Sequence, residues 1–402
     1  MNNIGQRIAI ARRRRGLSQV VLAGLVGRSE SWLSQVERGR RGIDSHAVLT
    51  RLAEILRVDV SDLTGQLARD ETAPGRYGHA AQIEQAMMCY DALAGAIAPP
   101  TTNQRGDVTN LVSRAKATYR RYQATGYEEA GRLLPRLIRD VEAASQPDGG
   151  TNRQMCRARA LVYDTTATLL NRVGEHSLAW VAADRAVTAA AQAADPLLAA
   201  LGAYRLAYVL PGRRHPQQAV EVALSAAQAL ERFLSAASAE HLSMYGGLHL
   251  AAASAAAATY DQPLTLSLLR TAHKVAERIG GDANFMGTGF GPVNVAIHTM
   301  SVSVQLGDAA TAISIGESLH DQALPPGLIG RRTQIQLDLA RAYAMRRHDA
   351  AAVNALLVAE GLSPQLVRFD ERTRDLITGL LHREHRASTP QLRPLAHRAG
   401  II

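Results

Sequence analysis

The sequence predicts an all-α protein, on three observations. Aromatic residues make up only 4% of a chain that is 47% hydrophobic, and the apolar remainder is rich in alanine, which suits closely stacked helices better than a β-sandwich. Small residues recur four and then three positions apart after short breaks, as in a helical repeat. Near the amino end, SQVVLAGLVGRSESWLSQVERGRRGI, from Ser18 to Ile43, has the form of two short helices joined by a tight turn. With 402 residues the chain can build two or more cores.

In chain order, a first helix runs from about Asn3 to Arg15, with Ile4, Ile8 and Ala11 on its inner face. Its arginine run falls at the C-terminal end, where the helix dipole favours cations. Ser18 caps a second helix, Ala23 is small enough for another helix to cross close by, and Gly27 can take the left-handed turn. Ser29 caps a third helix that runs to about Arg38 and stops at Gly39. Leu22, Val26, Leu33 and Val36 make the shared buried face, while Glu30, Ser31, Ser34 and Gln35 lie on the other side. Ser45 caps a fourth helix with the apolar stripe Val48, Leu49, Leu52, Ile55 and Leu56, and Val58 to Leu67 gives a short fifth.

Residues 1–66 hold eleven arginines against six acids, so more than half of the net charge of +9 lies in the first sixth of the chain. A polyanion-binding surface belongs there. Cys89 and Cys156 lack CxxC spacing, which fits a reducing compartment. The amino end places its charges after its short apolar part, unlike a signal peptide, and no run approaches the ~20 apolar residues of a membrane span. A cytoplasmic protein without membrane contact is expected.

Gln19, Ala23, Gly27, Leu33, Val36 and the Glu37-Arg38-Gly39 ending make residues 5 to 65 resemble the helix-turn-helix of the phage repressor and Cro family, the XRE type. The resemblance implies a five-helix domain, residues 1–67, whose third helix enters the major groove of a double-stranded DNA operator. It places Ser18 and Gln19 over the phosphate backbone, with the cap Ser29 beside them. Glu30, Ser31, Ser34 and Gln35 would face base edges, and Arg40 and Arg41 would grip phosphates. Glu30 is a carboxylate where the family more often has Gln or Ser, so as a base reader it would accept from a cytosine amine. Arg13 and Arg14 meet DNA backbone or stay solvated. Trp32 either presses on sugar or a thymine methyl or covers helix 1. The family's Glu at position 37 usually pairs with an Arg of helix 1, which implies a structural ion pair with Arg12.

Residues 68–106 change character: two turn-rich stretches flank the amphipathic IEQAMMCYDALAGAI, giving a linker with one docking helix. From 107 to 386 the repeat appears, with Ala179, Ala183 and Ala186 after Gly174, Ala219, Ala223 and Ala226 after Pro216, Ala312, Gly316 and Leu319 after Asp308, and Ala352, Leu356 and Ala359 after Asp349. Weaker copies stand at Ala130, Leu134 and Leu137 and at Thr265, Leu269 and Ala272. Six units at 40 to 49 residues exceed the 34 of the tetratricopeptide repeat but resemble its small-residue core. Residues 387–402 form a loosely packed tail.

Such a solenoid stacks antiparallel helix pairs and lines its concave face with the first helix of each pair. That places Asn294, His298, Ser301 and Gln305 on one stripe and Gln334, Asp338 and Arg341 on the next, with Asn171, Arg172, Tyr204 and Tyr208 from earlier units. Polar stripes of this kind suit a peptide or small-molecule effector, or are simply solvated. The glycines of residues 280–294 follow a helix and lack a phosphate-binding lysine, so they form an inter-repeat loop. His382 and His385 have no third ligand nearby, and no catalytic motif appears, so neither an enzyme nor a cofactor nor a metal is expected. The whole resembles the architecture of peptide-pheromone regulators, which implies a DNA-binding transcription regulator with a sensing body. Because one small head buries little surface, a homodimer is expected. The alternative is a constitutive adaptor that recruits a protein through its repeats and anchors it to DNA.

Overall fold

The computed structural model describes residues 4–15, 17–43, 45–56, 58, 63, 77–89, 107–145, 152–319 and 324–402, among which there is no strand. The chain divides into two compact units, Met1–Pro74 and Gly75–Ile402. The first contains α1 (Ile4–Arg14), α2 (Gln19–Val26), α3 (Glu30–Glu37) and α4 (His46–Leu56). Ile8, Leu22, Ala23, Leu33, Val36, Leu52 and Leu56 form its core. α1 crosses α3 where Gly5 has no side chain, and a Cβ there would collide with the Val36 carbonyl. Gly27 takes φ +69° and its N–H closes α2 on the carbonyls of Ala23 and Gly24. The expected fifth helix lies outside the described residues, except Val58 and the buried Leu63.

The second unit opens with α5 (Ala80–Met87), whose Ile83, Ala86 and Met87 are buried in the unit's core, while residues 90–106 lie outside those described. Six helix pairs follow: α6 (Val108–Gln123) with α7 (Tyr127–Ala144), α8 (Arg153–Arg172) with α9 (His176–Ala193), and α10 (Pro196–Val209) with α11 (Pro216–Glu231). Then come α12 (Ala239–Ala258) with α13 (Gln262–Ile279), α14 (Pro292–Gln305) with α15 (Ala309–Ser318), and α16 (Ile329–Met345) with α17 (Asp349–Leu362). The small-residue repeat falls on the second helix of every pair. Ala130, Ala179, Ala183, Ala219, Ala223, Thr265, Ala272, Ala312, Ala352, Leu356 and Ala359 are all buried, and only Ala226 is half-buried. Alanine at these crossings lets neighbouring helices approach closely.

The turn inside each pair uses one left-handed residue, at Thr125, Gly174, Arg214, Tyr260, Gly307 and Arg347. Only two of the six are glycine, so the turn is imposed by the packing of the helices it joins more than by its own sequence. The chain ends in α18 (Pro364–Phe369), α19 (Glu371–Leu381) and α20 (Leu392–Arg398). The loose tail expected at 387–402 is corrected here. Leu392, Leu395 and Ala396 are fully buried, Arg398 pairs with Glu360 at 2.6 Å, and Arg374 donates to the carbonyls of Ala399 and Gly400.

The first pair, and Tyr77 before it, also meet the loop before α14 and helix α18. Tyr119 donates to the Gly287 carbonyl at 3.0 Å, and Gln123 and Asn284 exchange amide hydrogen bonds. The backbone N–H of Glu128 donates to Gln365, and Tyr77 stands edge-on to Phe369 at 5.3 Å. The helical stack therefore curves far enough for its first pair to touch the loop before α14 and α18.

Candidate nucleic-acid interface and ligand groove

In the first unit, one carboxylate ties three helices together. Glu37, on the inner side of α3, accepts from Arg12 Nε at 2.6 Å and Nη2 at 3.0 Å, and from the Gln19 amide at 2.6 Å. Arg12 also donates to the Leu17 carbonyl at 2.8 Å, and its bonds to Glu37 raise its pKa further. Gln19 is thus engaged inward at the start of α2. Ser18 accepts from Val21 N–H and Ser29 from Trp32 N–H, both at 3.2 Å, so each is an N-cap.

The outer face of α3 presents Glu30, Ser31 and Gln35, all exposed. The Ser34 hydroxyl is taken up by Arg38, one turn along. Trp32 is half-buried against the core, with the Arg28 guanidinium 5.8 Å from its ring. Arg40 and Arg41 are exposed just past the helix, and Arg13 is exposed with its Nε bonded to the Ala9 carbonyl. The side chain of Arg14 lies outside the described residues. A helix held rigidly from behind, with short polar side chains in front and cations at its end, has the form that major-groove readout needs.

In the second unit, a cavity of about 730 Å³ opens along the inner faces of α10, α12, α14, α16 and α19. Tyr208, His298, Ser301, Gln305, Gln334, Asp338 and Arg341 line it, together with Arg172. Three other expected residues do not, which corrects the reading of them as groove walls. Asn294 is buried, with no partner for its Oδ1 among the described residues. Asn171 donates to the Tyr208 carbonyl at 3.2 Å, and Tyr204 is buried against the Tyr208 ring at 5.0 Å. Adjacent first helices lie so close on the concave side that these groups face their neighbours before they face the cavity.

Most of the lining is bonded to itself. Asp338, 2% exposed, accepts from Ser301, from Gln334 at 3.1 Å and from Arg341 at 2.7 Å. Arg341 continues to Asp370 at 2.8 Å, and Arg172 stands 4.0 Å from the same carboxylate. Burial alone would raise the Asp370 carboxyl, but Arg341 and Arg172 hold it below its usual value. His298 is pushed down to about 3 by burial and by the Arg331 charge. Its Nε2 meets Arg331 Nη1 at 3.4 Å, and since a guanidinium can only donate, that nitrogen is the bare one. The sequence reading missed Arg331, although it stands three residues before Gln334 and extends the same stripe by one turn.

The loop before α14 is fastened to α14 and to α16. Asp282 accepts from the N–H groups of Val293 and Asn294 and so caps α14, and the Thr288 carbonyl receives Arg331 Nη2 at 3.3 Å. Among the described residues no helix is long and apolar enough to cross a membrane.

These features define a class: a helix-turn-helix head joined to a body of stacked helix pairs. Residues 3–64 match the helix-turn-helix domain family, so the head is a helix-turn-helix domain. Among solved structures, the chain is similar to the crystal structure of Bacillus thuringiensis PlcR in complex with the peptide PapR7 and DNA. The identity is 12%, with 90% of this chain and 99% of that chain covered, at a TM-score of 0.28. No curated protein matches the chain.

Proposed function

We propose that the protein is a sequence-specific transcription regulator that acts in the cytoplasm as a homodimer, and that an effector in the groove of its body sets its operator affinity. The observation that carries the DNA-reading part is the exposed outer face of α3 on a helix fixed by Glu37. The proposed organisation is a head over residues 1–67, a linker to 106, a sensing solenoid and a terminal segment. Two heads about one DNA turn, ~34 Å, apart on a partly palindromic site give the needed contact area.

Gel shifts test the head. Gln35→Ala is expected to cost ~1–3 kcal/mol and to change the preferred base at one operator position, whereas Arg41→Ala weakens all sequences alike and flattens the salt dependence. Equal losses on every sequence for both variants would refute the assignment. The same assay tests the body. The small-molecule fraction of a native-host extract is expected to shift operator affinity of the wild type and not of Gln334→Ala. An unchanged response in the variant would make the groove a solvated surface.

A further inference from the structure

Among the half-buried arginines of the groove, one has no matching carboxylate. Of the five arginines that line the groove, Arg341 and Arg172 stand with Asp338 and Asp370, and Arg383 holds Asp349 at 2.8 Å. Arg372 is exposed on α19, as is Asp375, so its charge is met by solvent. Arg331 is the fifth, and among the described residues it has no carboxylate within ion-pairing distance. Its partners are the Thr288 carbonyl at 3.3 Å and the imidazole of His298 at 3.4 Å. Neither offsets a charge. A half-buried guanidinium aimed along a cavity, with neutral partners holding its orientation, is a preorganised seat for an oxyanion.

We infer that the effector is an apolar molecule bearing a single carboxylate, seated on Arg331. This rests on the reading of the groove as the effector site. With Arg331 alone unmatched among the half-buried guanidiniums, a monoanion fits, because the neighbouring Arg172 and Arg341 already have aspartates and would lose them to a dianion. The body of the ligand lies against Pro211, Val304 and Met345, the apolar side chains that the cavity wall leaves accessible. An apolar peptide with a free C-terminus and a medium-chain acid share this chemistry.

Isothermal titration on the full chain, with four probes, tests the seat: N-acetyl-trileucine, its C-terminal amide, octanoic acid and octanamide. At least one acid is expected to bind the wild type about tenfold or more tightly than its amide, the scale of one charge-assisted hydrogen-bonded pair. Which acid shows the preference separates a peptide source from an acyl source. Arg331→Lys keeps part of the preference and Arg331→Gln removes it. The comparison of acid with amide needs no variant, so it decides even where Arg331→Gln folds poorly. Equal binding of acid and amide overturns the carboxylate seat while the groove reading stands. A preference that survives in Arg331→Gln overturns it too, as does the absence of binding by all four probes. The groove reading itself is judged separately, by the response of operator affinity in Gln334→Ala.

Discussion

Two polar stripes, one on α3 and one running across α14 and α16, look alike as sequence and behave differently as surfaces. On α3, Glu30, Ser31 and Gln35 stand exposed on the outside of a small bundle. On the inner helices, Ser301, Gln334, Asp338 and Arg341 meet one another in a closed net. The difference lies in curvature. A stripe on a convex surface has only solvent or a partner in front of it, while stripes on a concave one converge and bond together first. The outer stripe thus stays exposed, whereas the inner one satisfies most of its own groups and leaves one half-buried guanidinium, Arg331, without a carboxylate.

The largest effects should come from breaking the buried charges on either side. Glu37→Ala is expected to cost the head about 3–5 kcal/mol, because Arg12 is left partly buried without its anion. Asp338→Ala should cost the body a similar amount, read by hydrogen exchange of the amides in each unit. A loss below ~1 kcal/mol at Asp338 would mean that the inner stripe is as free as the outer one, and the contrast would collapse.

Next comes acid. His298 is held near 3 by burial and Arg331 against an ordinary value of about 6.5, so the unfolded chain takes up the proton first. Its contribution to stability is therefore complete above ~6.5 and is lost as pH falls toward ~3, at up to about 1.4 kcal/mol per pH unit. His249, lowered by burial, adds in the same sense. Asp370, also lowered, acts only below its ordinary range near 4. Denaturant melts of His298→Gln between pH 6.5 and 4.5 should show a flatter slope than the wild type. An unchanged slope would mean that His298 is open to water.

Smaller still, Gly307→Ala should destabilise the body by ~1–2 kcal/mol, since the turn there demands φ +85°. Thermal melts measure this directly. The least effect belongs to the convex stripe: Ser31→Ala should change folding stability by less than ~0.5 kcal/mol. A larger change in the melting of the head would show that Ser31 has a partner within the fold.

The same contrast explains what could be read from the sequence. Caps and turns in the head are local rules: Ser18, Ser29 and Gly27 act within four residues of themselves, so their roles stand in the sequence. The alanine crossings of the body were equally plain, since a helix buries the residues that its period selects. The burial of Asn294 and Tyr204 was not, because it depends on helices distant in the chain. The turns at Thr125, Arg214, Tyr260 and Arg347 carry no glycine to announce them. Arg331 could have been placed on its stripe from spacing alone, but its lack of a counter-charge appears only once five helices are assembled. The packed helix α20 was hidden by the prolines and arginines around it.

The bonds from Tyr119 and Gln123 to the loop at 284–287 have a consequence for folding. An open stack of repeats gains stability almost additively, unit by unit, and tolerates the loss of its end units. Here the first helix pair is fastened to the loop before α14 and to α18, so a break anywhere slackens both rims. The body should consequently melt as one, and shortening it from the carboxyl side should loosen amides in Val108–Gln123 as much as those beside the cut.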